Sequence, residues 1–140
     1  MDDANIPGLL SLPYLEYIDK SDPVYLATRK AVLSRATNPY FFSGFAGEGV
    51  GGPHEGYGYV WPMSIMIRAL TSESDDEIIA CIEMLKKSTA GTGLMHESFW
   101  KNDVNKFTRS WFAWANSLFG ELMITLMNER PYLILKESIM

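Results

Sequence analysis

The sequence predicts an all-α chain in which four or five helices are joined by long loops. Apolar residues recur with a period near 3.6, and capping residues stand at the boundaries of these segments. Alternation typical of strands is nearly absent, apart from a short strand-like run at residues 58–61. With 140 residues, 47% of them hydrophobic and 21% charged, the chain has the size and composition of one globular domain.

The first long helix is predicted over residues 22–35. Asp22 is a favourable N-cap, and Pro23 suits the first helical position because the amide donor that proline lacks would be unpaired there anyway. The helix is expected to end before Pro39. Residues 2–18 contain two prolines and are expected to form a loop with one or two short helical turns.

Two further helices are predicted in the middle of the chain. One covers residues 62–70 and begins with a proline, and the next begins after Ser72 or Ser74. Three acidic residues in the first turn and two lysines in the last suit the helix dipole, and Gly91 suits the C-terminal cap. The apolar face of this helix consists of Ile78, Ile79, Ile82 and Leu85.

The last helix is predicted from about residue 108 to 127, and Pro131 is expected to end it. Trp111 and Trp114 are interpreted as packing residues of this helix. Its apolar face consists of Trp111, Trp114, Ala115, Leu118, Leu122 and Leu126.

Two long connections, residues 38–61 and 88–107, hold both histidines, most of the glycines and many aromatic residues. Connections in compact domains are mostly about four to six residues long, and much longer ones usually carry function or are disordered. So many aromatic residues argue against disorder. We therefore expect a binding cup built from loops at one end of a helical scaffold.

Charge and cysteine content exclude several classes of function. The net charge is −5 and the largest basic cluster is the pair Lys86-Lys87, so no nucleic-acid partner is expected. No apolar run reaches the roughly 18–20 residues of a membrane span. The acidic start, Asp2-Asp3, predicts no export signal, and the compartment is otherwise undetermined. Cys81 is the single cysteine and is expected to be a buried, inert thiol.

Two motif matches are interpreted as coincidental. The glycines of residues 47–52 fit the dinucleotide pattern, but no strand–helix unit surrounds them, so we expect them to provide positive φ angles or close approach instead. His54-Glu55 and His96-Glu97 each resemble half of a zincin motif and lack its second histidine. Two histidines with scattered carboxylates could in principle form a metal site, but the missing second histidine favours the prediction of no metal and no cofactor.

Carboxylates beside aromatic residues in glycine-rich loops favour chemistry on sugars. Glycoside hydrolysis needs one carboxylic acid for the leaving oxygen and a second carboxylate to activate water or attack. Glu97, between a glycine turn and Phe99-Trp100, stands out only modestly, and composition alone favours a solvated loop carboxylate over a catalytic one. The candidates are Asp2, Asp3, Glu48, Glu55, Glu97 and Asp103.

Several motifs in order resemble glycoside hydrolase family 125, over nearly the whole chain. They are Asp2-Asp3-Ala4-Asn5, Gly52-Pro53-His54, Tyr59-Val60-Trp61-Pro62, Leu94-Met95-His96-Glu97, Phe107-Thr108-Arg109 and Trp111-Phe112 with Trp114-Ala115-Asn116. The resemblance implies an inverting, metal-independent exo-α-1,6-mannosidase that removes terminal mannose from oligosaccharides or N-glycans. It also implies an (α/α)6 toroid, of which residues 1–140 would be the C-terminal hairpins of a single catalytic domain.

The resemblance also implies site residues. Glu97 corresponds to the general base, which deprotonates the water that attacks the anomeric carbon. The residues expected to line the sugar subsite are Asp2, Asp3, Asn5, His54, Trp61, His96 and Arg109.

This sequence departs from the family pattern in one respect. Family members are much longer, and their general acid, an aspartate, lies upstream of the Asp-Asp-Ala-Asn motif at which this chain starts. We therefore expect the missing N-terminal part of the domain to supply the acid, and the isolated chain to be inactive or nearly so. The alternative is a non-catalytic helical module that binds mannose or takes part in assembly.

Overall fold

The computed structural model of the chain describes residues 2–4 and 8–139, with side chains described up to residue 135. After a 3-10 turn at Leu9–Ser11, these residues form five helices and five strands. The helices are α1 (Pro23–Val32), α2 (Pro62–Leu70), α3 (Asp75–Ser88), α4 (Ala113–Glu129) and α5 (Pro131–Ile139). The strands are β1 (Phe41–Gly44), β2 (Gly47–Val50), β3 (Tyr59–Val60), β4 (Ser98–Trp100) and β5 (Asp103–Thr108).

The prediction of an all-α chain is wrong, and with it the interpretation of the chain as helical hairpins of an (α/α)6 toroid. The strands form two antiparallel sheets, one of order β1-β2 and one of order β3-β4-β5. A single bridge between Gly51 and Val60 joins the two sheets. Both long connections that the sequence predicted as loops therefore contain β-structure.

Glycines hid the first sheet from sequence-based prediction. Glycine is depleted in strands because it has no side chain to pack. Here the missing side chain is what allows the packing: a Cβ at Gly49 would lie 2.8 Å from the Val60 side chain and 3.1 Å from that of Ile65 in α2. At Gly51 it would lie 2.1 Å from the Tyr59 carbonyl oxygen. The prediction that these glycines provide close approach is confirmed.

The second sheet contains the predicted strand-like run, since β3 covers Tyr59–Val60. Strand β4 is its centre and pairs with β3 through Val60 and Phe99, and with β5 through Phe99 and Phe107. Phe99 is fully buried. Strand β5 has only partly buried and exposed residues, which is why no alternating apolar pattern marked it in the sequence.

The starts of the first three helices are confirmed. The Asp22 carboxylate accepts hydrogen bonds from the amides of Val24 and Tyr25, and the Ser74 hydroxyl accepts one from Glu77. Helix α1 ends at Val32, before the predicted residue 35, because the Asn38 side chain donates to the Val32 carbonyl, 3.0 Å away. Side-chain capture of a terminal carbonyl ends the helix there.

The last predicted helix starts later than expected, at Ala113. Thr108 is still paired with Ser98 in the sheet, and Arg109 has a φ of +42°, which no α-helix accommodates. Helix α4 ends at Glu129, just before Pro131 as predicted, and the further helix α5 begins at Pro131.

Helix α2 lies at the centre of the core, where it packs against both α3 and α4. Three consecutive residues, Ile65–Ile67, are almost fully buried. Cys81 of α3 is also buried, as predicted, and burial raises the pKa of its thiol to about 12. Among the described residues, no helix has the length and apolar character that crossing a membrane requires.

Candidate active site

A cavity of about 570 Å³ lies where the loop before α2, the start of β4 and the β5–α4 connection meet. Aromatic rings make up much of its wall, and three polar side chains from separate parts of the sequence face it. The lining residues are His54, Trp61, Glu97, Arg109, Trp111, Phe112, Ala113 and Trp114. Four predicted site residues therefore come together: Glu97, His54, Trp61 and Arg109.

Glu97 is the buried carboxylate of this cavity. Its backbone amide donates to the Thr108 carbonyl at 3.3 Å, which extends the β4–β5 pairing by one residue and fixes where the side chain points. The side chain is 5% exposed. Its Oε1 has no hydrogen-bond partner among the described residues, although the Arg109 Nε lies 3.3 Å away. That distance permits charge attraction without hydrogen-bond geometry, so Oε1 retains capacity to accept from a ligand or water.

Arg109 reaches Glu97 from an unusual backbone conformation. Its φ of +42° lies in the left-handed region, which costs about 1–2 kcal/mol for residues other than glycine. Such conformations persist where surrounding structure enforces them, and they cluster at functional sites. The Arg109 side chain is 65% exposed, so its charge approaches Glu97 from the solvent side of the cavity.

A second carboxylate, Glu55, lies against the first. One ligand-capable atom each from His54, Glu55 and Glu97 lie within 4.8 Å of one another. The His54 Nε2 is 3.4 Å from the Glu55 Oε1. Burial raises the pKa of Glu55, and the hydrogen bond to Glu97 and its charge raise it further, against smaller opposing effects of His54 and Arg109. Glu55 was among the loop carboxylates that the sequence marked, but not among the expected subsite residues.

The aromatic wall is built around Trp61, which is 6% exposed. Its Nε1 donor has no acceptor within the part of the chain that the structure describes. Phe112 packs edge-on against this indole, with ring centroids 6.4 Å apart at 84°. Trp111 and Trp114 are 61% and 70% exposed and line the cavity, so their interpretation as helix-packing residues is wrong.

His96 lies behind the cavity, not in it. It is fully buried, and its ring stacks on that of Phe107, with the ring centroids 3.8 Å apart and the ring planes at 6°. Its Nδ1 is 2.7 Å from the Ser110 carbonyl oxygen, and its Nε2 is 3.3 Å from that of Thr89. This placement supports a role in fixing the backbone beside Glu97 and gives no support to direct contact with a sugar.

The N-terminal aspartates are not among the residues that line the large cavity. The Asp2 carboxylate accepts a hydrogen bond from the Leu9 amide at 3.1 Å, and burial raises its pKa. Asp2 and Asp3 line a separate narrow pocket beside Gly8. Asn5, also predicted as a subsite residue, lies outside the described residues.

Sequence reasoning missed the segment 111–114 as a cavity wall and Asn116 as its anchor. The Asn116 Oδ1 accepts from the Met95 amide at 3.1 Å, while Nδ2 donates to the carbonyls of Met95 and Phe112. The available signal was the aromatic density just before a helix whose inner face was already apolar. Two tryptophans there exceed what packing requires.

Comparison with known proteins places these features in a family. The sequence profile of the family described as metal-independent alpha-mannosidase (GH125) matches residues 1–124. A Schizosaccharomyces pombe relative, the meiotically up-regulated gene 157 protein, is 54% identical over 138 residues, which is 99% of this chain and 27% of that protein.

A solved structure is similar as well. It is a Streptococcus pneumoniae metal-independent α-mannosidase in a non-productive substrate complex with α-1,6-mannobiose. The TM-score is 0.88 at 42% identity, over 93% of this chain and 30% of that one. The chain thus spans less than a third of the length of either protein. The family resemblance stated from the motifs is confirmed.

Proposed function

Because the chain belongs to the GH125 family of metal-independent α-mannosidases, we propose that its cavity binds a terminal mannose. In this proposal Glu97 is the general base of an inverting exo-α-1,6-mannosidase. The α-1,6 linkage of the proposed substrate is supported by the S. pneumoniae neighbour, whose structure contains α-1,6-mannobiose.

The unpartnered Oε1 of Glu97 carries the proposal. It belongs to a side chain that is 5% exposed and lines the cavity, and a buried acceptor of this kind is normally satisfied by a donor from a ligand or water. In an inverting glycosidase that donor is water, held between the base and the anomeric carbon. Glu97 would take one proton from this water while its oxygen forms the new bond to the sugar, and the product would be β-mannose.

The surrounding groups suit a sugar. The buried Trp61 Nε1 donor, which lacks a protein acceptor among the described residues, would donate to a sugar hydroxyl. The exposed rings of Trp111 and Trp114 offer apolar faces for stacking against the pyranose, and aromatic rings with a polar handle suit such amphipathic ligands. His54 and Arg109 supply further polar contacts at the same cavity.

Glu55 is unsuited to be the general acid of this reaction. Inverting enzymes hold their two carboxyl groups about 6.5–9.5 Å apart, to leave room for water. One oxygen of Glu55 and one oxygen of Glu97 lie within 4.8 Å of each other, which is closer than that spacing. We therefore propose that the acid comes from sequence that the longer relatives have and these 140 residues do not supply. The chain alone would then release mannose very slowly or not at all.

The alternative, a module that binds mannose without turnover, follows from the same geometry. The described residues offer aromatic faces and hydrogen-bonding groups to a sugar, whereas Glu55, the carboxyl group beside Glu97, lies too close to it for the inverting arrangement. Binding of mannose by the 140-residue chain, combined with an inactive full-length gene product, would favour this alternative.

The test compares Glu97→Gln with the wild type in the full-length gene product, with α-1,6-mannobiose as substrate. We expect kcat to fall by about 10²–10⁴-fold, since the base is removed and the shape is kept. Glu129→Gln, which changes an exposed glutamate at the end of α4, should leave kcat unchanged. Proton NMR of the first product should show β-mannose. Retained activity in Glu97→Gln, or α-mannose as first product, would refute the proposal.

A further inference from the structure

We propose that Glu55 is a positioning residue for Glu97: carrying a proton, it donates a hydrogen bond to the Glu97 carboxylate and restrains its orientation. This inference rests on the role proposed above for Glu97. Glu55 touches the base and is not assigned contact with the sugar. It keeps its proton through the cycle, so the proton that Glu97 takes from water is the one later released to solvent.

The first argument is the burial of two carboxyl groups in contact. Their side chains are 18% and 5% exposed, and one oxygen of each lies within 4.8 Å of the other. Two carboxylates that share a site cannot both ionise without strong repulsion, so one of them retains a proton. A protonated carboxyl group becomes a donor, and the neighbouring carboxylate accepts.

The second argument decides which group holds the proton. The Arg109 Nε lies 3.3 Å from the Glu97 Oε1, so the nearest positive charge to the pair stands against Glu97. On Glu55, burial raises the pKa most, followed by its hydrogen bond and charge interaction with Glu97. The groups facing Glu55 are Glu97, His54 and Arg109, and the latter two oppose the rise without cancelling it.

The third argument is what the contact does for the reaction. The Arg109 contact to Oε1 lacks hydrogen-bond geometry and comes from a side chain that is 65% exposed. A hydrogen bond from the less exposed Glu55 gives the base a second, better-shielded support. Catalytic groups lose rate when their orientation is loosened, and losses of about 10–100-fold are typical when a supporting group is removed.

The experiment compares Glu55→Gln and Glu55→Ala in the full-length gene product. The amide of Gln is a donor that mimics the protonated carboxyl group and cannot ionise. We expect Ala to lower kcat by about 10–100-fold with little change in KM, and Gln to restore most of that kcat. The ionisation of Glu55 should also disappear from the pH dependence of kcat/KM in Glu55→Gln. Equal losses in both variants, no loss in Ala, or loss of wild-type activity in a metal chelator would overturn the proposal.

A second measurement separates this inference from the proposed function, because it needs no turnover. In protein labelled with ¹³C at glutamate carboxyl carbons, Glu55 should titrate above the ordinary range of glutamate. Glu97→Gln, which removes the charge of the partner, should lower the pKa of Glu55. An unchanged titration refutes the shared proton. An inactive wild-type enzyme with the expected titration would reject the mannosidase proposal and leave the contact between the two carboxyl groups established.

Discussion

Replacing Asn116 with Ala tests whether the first turn of α4 holds Glu97, the proposed base, in place. The Asn116 side chain makes hydrogen bonds to the Met95 amide, the Met95 carbonyl and the Phe112 carbonyl. Met95 lies two residues before Glu97, so the side chain ties the backbone that leads to the base directly onto the helix.

The magnitude follows from which groups would lose their last partner. In the variant, the Met95 carbonyl would still accept a hydrogen bond from the backbone amide of Phe112 at 3.3 Å. The Phe112 carbonyl would still accept one from the backbone amide of residue 116 at 3.0 Å. Among the described residues, the acceptor for the Met95 backbone amide is the Asn116 side-chain Oδ1, which the substitution removes. An orphaned buried donor costs about 1–3 kcal/mol. The better helix propensity of Ala offsets about 0.5 kcal/mol of this, which leaves a net loss of roughly 1–2 kcal/mol.

The assay is urea-induced unfolding together with kcat on α-1,6-mannobiose, both in the full-length gene product. We expect a lower midpoint with an unchanged m-value, and a loss of kcat because Glu97 is less firmly held. Asn128→Ala is the matched control, since it makes the same substitution at an exposed position of the same helix. If Asn116→Ala shifts stability no more than this control and leaves kcat unchanged, α4 does not position the base.

Two further predictions concern the scaffold. Gly58→Ala should destabilise the protein by about 2–5 kcal/mol in the same unfolding assay, because Gly58 has a φ of +85° and a Cβ there would lie 2.2 Å from the Trp100 ring. Gly56→Ala is the control for backbone strain alone, since Gly56 also has a positive φ and a Cβ there would have no atom within 4 Å. For Glu77, burial would raise the pKa, but hydrogen bonds from Ser72, Arg29 and Arg68 and the charge of Arg29 lower it overall. The stability that Glu77 contributes is therefore present above the pKa of an unfolded glutamate, about 4.3, and is lost as pH falls through the lower folded value. Glu77→Gln should accordingly cost roughly 1–3 kcal/mol at pH 7 and progressively less below about pH 4, and a pH-independent difference would contradict the ion-pair explanation.

The helices were predictable because their signals are local. Asp22 followed by Pro23 marks the start of α1 through hydrogen bonds that span three residues, and Ser74 does the same for α3. The end of α1 was not predictable in this way, because the side chain that captures the Val32 carbonyl belongs to Asn38. A capping group six residues away leaves no pattern in the helix itself.

The strands were missed because their pairing is decided by partners far away in sequence. Gly49 and Gly51 weaken any local strand signal. They are needed because α2 and β3 pack so closely against them that a side chain would not fit. The contact between Glu55 and Glu97 was equally hidden, since it depends on the pairing of β3 with β4. The motif around Glu97 drew attention to this residue from the sequence, whereas its spatial neighbours could be identified only from the fold.

The corrected fold also explains why Glu97 and Arg109 meet. Ser98 and Thr108 are paired in the β4–β5 hairpin, and their hydroxyl groups are 2.6 Å apart. Glu97 immediately precedes one of these residues and Arg109 immediately follows the other, so the hairpin register places them opposite each other. Because side chains alternate between the faces of a sheet, a slip of one residue would turn Glu97 away from the cavity. The direction of the Glu97 side chain is therefore set by the register of the β4–β5 hairpin.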